Sequence, residues 1–168
     1  MKMRSTVSPL AMLILAALVV TTSPSAAANL KDQGPSVSGA GQFTSFHPVT
    51  AARQLWSFSF EARANKKDHA TGHAVFENLT AQTQVVVRIN CLTLNDTAFA
   101  VMTGRVLHSD DPFLPKSENV VFAVRDGQLL PTPSFDTITP LFTFFGDCHD
   151  GEPLTILPVE NGDIEIQP

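Results

Sequence analysis

Strict two-residue alternation constrains this chain more than any other feature. In LWSFSFEA, residues 55–62, Trp56, Phe58 and Phe60 fall on one side and Ser57, Ser59 and Glu61 on the other. A period of two places successive side chains on opposite faces of an extended backbone, so the stretch is predicted to be a half-buried strand. Residues 84–94 repeat the pattern, with Val85, Val87, Ile89 and Cys91 on one face and Val86, Arg88, Asn90, Leu92 and Leu94 on the other. Asn95-Asp96 tolerates the left-handed backbone of a tight turn, and residues 98–107 read as the returning strand, where Gly104 marks a bulge or a close backbone approach.

The same reading extends along the chain. Polar residues 65–72 lead into His73–Glu77 as a hairpin, and residues 119–125 form another strand before a turn at Asp126-Gly127. Residues 128–140 hold three prolines and no clear period, a length that suggests a functional or merely irregular surface loop. Near the end, residues 154–159 and 163–167 flank Asn161-Gly162, a strong short hairpin pattern. No segment after Ala28 carries a capped helical period. The expected fold is all-β, a single antiparallel barrel or sandwich of about eight strands with a filled interior.

The first 28 residues follow different rules. Lys2 and Arg4 precede the apolar run Leu10–Val20, and small residues lead to Ala26-Ala27-Ala28, the pattern of a secretory signal cut at Ala28/Asn29. The run is too short to span a bilayer, which takes about 20 apolar residues. Residues 29–38 then read as a flexible tether and 39–168 as one β-domain, soluble and not inserted in a membrane once the signal is removed. The expected location is extracellular, or periplasmic in a Gram-negative bacterium.

Charge narrows the partners. Two of the 11 basic residues and none of the 16 acidic ones lie in residues 1–28, so the remainder carries −7. A phosphate backbone wants a basic stripe, which speaks against nucleic acid. The acids concentrate in the final third, a region that either keeps the protein soluble or meets a cation. In an exported chain the two cysteines, Cys91 and Cys148, are expected to form a disulfide.

Reactive constellations are sparse. His108, Asp110 and Asp111 share one loop, and Asp147, His149 and Asp150 surround Cys148; these are ligand types suited to zinc or calcium but lack a known spacing. They are weak metal candidates, and no cofactor is expected. No Gly-x-Ser-x-Gly elbow is present, Glu61 and Glu77 read as outward strand residues, and Gly39-Ala40-Gly41 neither follows a strand nor opens a helix. Two sequons, at Asn78 and Asn95, fall at strand ends. The Gly-x-Trp of the lipocalins is missing, because Gln54-Leu55 precedes Trp56.

WSFSFEAR, GHAVFEN, RINCLTLNDTAFAVMTGRV, the SDDP loop, a late DC and PVENGDIEI together resemble a group of small exported, mostly bacterial β-domain proteins of uncharacterised function. The resemblance implies export and a β fold, and carries no catalytic site. The functional expectation is a non-enzymatic binding or structural module for an extracellular ligand or protein. The alternative is a metal-dependent or carboxylate-based hydrolase built on loops 108–118 and 146–152.

Overall fold

A computed structural model describes residues 34–47, 49–65, 69–96, 98–146, 148–149 and 155–168. The expected signal peptide and residues 29–33 of the expected tether lie outside these. The described part is all-β, with strands β1 (Ser36–Phe46), β2 (Arg53–Ala64), β3 (His69–Asn78), β4 (Thr83–Asp96), β5 (Phe99–Ser109) and β6 (Asn119–Arg125). Short strands β7 (Thr137–Ile138), β8 (Phe142–Thr143) and β9 (Leu157–Pro158) precede β10 (Asn161–Gln167). All pairings are antiparallel within one sheet, ordered β10-β1-β2-β3-β4-β5-β6-β7-β9, with β8 beside β6.

This single sheet is neither a two-sheet sandwich nor a closed barrel. It curls until its edges adjoin: β9 at one edge runs within a few residues into β10 at the other. Val159 N donates to Asp136 O at 2.9 Å, and Glu160 N to Gln42 O at 2.8 Å. Closure beyond this point uses carboxylates in place of a strand ladder. Asp136 accepts from Gly127 N and Ile164 N, each at 2.8 Å, and Asp126 accepts from Gln128 N at 2.9 Å and Ile166 N at 3.3 Å. Ile164 and Ile166 would otherwise carry buried, unpaired edge amides, so the two acids do the work of a missing neighbour strand.

The inward faces fill one core. Phe122 sits between Phe60 and Phe76, with ring centroids 5.7 and 5.2 Å away, and Val87, Ile89, Met102 and Ile138 close around them. Gly39 and Gly41 pair with Phe60 and Phe58, and a Cβ on either glycine would press on the ring opposite, at 2.9 and 3.1 Å. These glycines therefore belong to a strand whose surface the phenylalanine rings cover.

Four expectations need correction. Residues 36–38 of the expected tether are part of β1, with Val37 buried, because the glycine-rich entry is held by those rings. Residues 128–140 are not wholly irregular: the 3-10 turn Gly127–Leu129 opens them and they contain β7. Asn161-Gly162 makes no hairpin; Gly162, with φ +133°, opens β10 opposite Gly41, and β9 pairs with β7 instead. Finally, Cys91 does not share the core face with Val85, Val87 and Ile89.

The register of β4 on β5 explains the cysteine. Ile89 pairs with Gly104 and Cys91 with Thr103, leaving Asn90 as an extra residue. A bulge of one residue exchanges the faces beyond it. Leu92 accordingly points into the main core, while Cys91 joins a second cluster on the other face with Phe99, Val101, Val121, Ala123 and Cys148. The disulfide Cys91–Cys148, with Cα atoms 5.9 Å apart, ties Cys148 into this cluster, against which Phe144 also packs.

Candidate functional site

The core is not filled to both ends. Where β1, β2 and β3 run toward Phe46, Arg53 and Asn78, β10 has not yet begun, and the facing wall consists of loops and two-residue strands. Pro112 and Pro140 lie in that wall. Proline lacks the amide that would extend a ladder, so the strands stay short and the sheet leaves an opening. The result is a cavity of about 650 Å³.

Its walls follow from strand register. Phe43, Trp56 and Phe76 line its inner part; Phe43 and Trp56 are register partners whose rings stack with centroids 6.3 Å apart. One pair closer to the opening Ser45 faces Gln54, and Asn78, level with Trp56, faces Thr83, so polar inward positions gather toward the mouth. Leu114, Leu141 and Leu157 close the loop side. Phe46 and Phe113 stand at the rim with 67% and 56% of their surface exposed, an apolar display that burial within the chain does not account for.

Two rim groups are oriented by backbone amides. His47 Nδ1 accepts from Val49 N and Thr50 N, both at 3.2 Å, so the neutral ring carries its proton on Nε2. The same ring meets Phe113 edge-on at 5.5 Å. Asp111 Oδ1 accepts from Phe113 N at 2.8 Å, which fixes its carboxylate beside that phenylalanine. Deeper in, Trp56 Nε1 is buried without a hydrogen-bond partner.

The sequence candidates are dispersed. His108 Nε2 lies 3.4 Å from Asp110 Oδ1, with both side chains exposed, and Asp111 faces the cavity. His149 Nδ1 instead lies 3.1 Å from Thr93 Oγ1. His108 pairs with Val86, and Thr93 lies seven positions further along β4, about 23 Å at the usual rise per residue. Asp147 and residues 150–152 of the 146–152 loop are outside the described residues. Among the described residues, the one three-member grouping of metal-ligand types is Cys91, Cys148 and His149, whose sulfurs are joined to each other. Glu61 and Glu77 are exposed, away from the cavity lining, and Ser57 Oγ donates to Glu77 Oε2 at 3.4 Å.

The first sequon is also structural. Asn78, 2% exposed, accepts from Thr80 N and Ala81 N, and Thr80 Oγ1 accepts from Leu55 N. Asn95 is exposed, and Thr97 of its sequon lies outside the described residues.

Sequence reasoning missed the cavity, because Ser45, Gln54, Phe113 and Leu141 belong to segments that alternation alone does not bring together. The clue present was Trp56 on an inward face next to prolines elsewhere in the chain. Among the described residues no helix is long and apolar enough to cross a membrane. Comparison with family models, curated proteins and solved structures finds no match.

Proposed function

We propose that this chain is a non-enzymatic, exported binding module that takes a small apolar molecule into the mouth of its curled sheet. The cavity carries the reading. Ligand pockets commonly enclose about 300–1,000 Å³, are mostly apolar and hold a few placed polar groups, and the opening walled by Phe43, Trp56, Phe76 and Leu141 has this character. Exposed Phe46 and Phe113 give an entering ligand apolar surface before it is enclosed. Export is supported by the pattern of residues 1–28 and by a disulfide, a bond that persists in oxidising compartments.

The only tryptophan in the chain stands in the cavity wall, so it reports occupancy. Titration with N-phenyl-1-naphthylamine, an uncharged apolar probe, should change Trp56 emission and enhance probe fluorescence in a saturable manner. Ala81→Phe, which places a ring at the cavity lining from an exposed turn, should abolish the response while leaving the far-ultraviolet spectrum unchanged. Equal probe binding by wild type and Ala81→Phe would remove the cavity as the site.

A further inference from the structure

The cavity's charge assigns a class of ligand. Among the described residues, Asp111 is the one acidic side chain in the lining, and no lysine or arginine lines it. Of the nearby bases, Arg53 donates to Thr44 Oγ1 at 3.3 Å and lies 3.8 Å from Glu160 Oε1, Arg105 Nε donates to Ser117 O at 3.1 Å, and Lys116, exposed in the loop after Leu114, does not line the cavity. His47 also lines the mouth, its Nδ1 engaged by the amides of Val49 and Thr50.

Resting on the binding function proposed above, we infer that the occupant is an amphiphile with an apolar body and an ammonium head group, the head held at Asp111. The body lies against Trp56, Phe43 and Phe76. At the rim the ammonium meets the Asp111 carboxylate, which Phe113 N orients through one oxygen, and the adjacent Phe113 face. Aromatic faces attract cations, most strongly where water is reduced. A carboxylate head would enter the same mouth with no lysine or arginine in the lining and beside a like charge, so carboxylate amphiphiles bind more weakly.

The test uses three probes of equal chain length, dodecyltrimethylammonium, dodecanol and dodecanoate, competing with N-phenyl-1-naphthylamine at about pH 8, where dodecanoate is ionised. The expected order of affinity is ammonium, alcohol, carboxylate, with steps of about fivefold at low salt that shrink as salt screens the mouth. Asp111→Asn retains an oxygen for Phe113 N and removes the charge. It should erase the ammonium advantage over dodecanol. Dodecanoate binding at least as tightly as dodecanol, or an ammonium advantage that survives Asp111→Asn, overturns the head-group assignment while leaving the binding function intact. Failure of all three probes to compete removes both.

Discussion

The two ends of the curled sheet are built from the same strands and differ in what faces inward. At the far end β2 and β3 present Ala62, Ala64 and Ala70, and Leu92, Val124 and Ile166 complete the packing. At the mouth the inward positions become Ser45, Gln54, Asn78 and Thr83, opposed by proline-bearing loops. The far end is sealed by β10, whose amides reach Asp126 and Asp136; the mouth has no such strand. One end therefore serves stability and the other access, and substitutions should separate the two.

The largest effect is expected from Phe122→Ala, midway between the ends. Removing a ring enclosed by Phe60 and Phe76 should cost about 4–5 kcal/mol by denaturant unfolding. Loss of the disulfide follows: a sequence separation of 57 corresponds to about 4 kcal/mol in the chain-entropy account, measured on Cys91→Ala/Cys148→Ala. Because the bond lies on the outer cluster, this variant should keep its affinity for the apolar probe. A parallel fall in affinity would mean that the outer layer supports the mouth.

Asp136→Ala should cost about 3 kcal/mol, since it leaves Gly127 N and Ile164 N buried without an acceptor. The pH dependence has a definite sign. Burial pushes the Asp136 carboxyl above its ordinary value and the nearby Asp126 and Asp163 carboxylates add to the rise, against the two backbone hydrogen bonds that lower it. A carboxyl whose pKa is higher folded than unfolded contributes stability below its unfolded pKa and loses it as pH rises through the folded one. Relative to Asp136→Asn, the wild type should thus lose stability as pH rises through that raised value. The opposite slope would show that the amides outweigh burial.

The smallest stability effect belongs to the rim. Phe113→Ala should change unfolding by less than about 0.5 kcal/mol, as for an exposed side chain, yet weaken N-phenyl-1-naphthylamine binding severalfold. A large stability loss there would make the rim part of the core and dissolve the distinction between the ends.

Much of the strand order was legible. Trp56, Phe58 and Phe60 alternate because each must meet a core on one side and water or a neighbour on the other, and the segment is β2 as expected. Residues 119–125 match β6 to the residue. The face of Cys91 was not legible, because the bulge at Asn90 depends on how β5 pairs across from it. Asp136 gave no local sign of its role, since one of its two amide donors, Ile164, is 28 residues away. Of the cavity lining, Trp56, Asn78 and Asp111 stand out in the sequence, each for a different reason.

Local alternation, turn residues and two cysteines determined an all-β chain with a disulfide, because period and covalent pairing act through residue type and neighbours. Tertiary structure alone decided that a single sheet curls without closing, that two buried carboxylates finish its seam, and that one end stays open. Those outcomes depend on which distant edges meet. The alternation that most constrained the fold reports the face of each side chain, and carries no information about where along the rolled sheet the core stops.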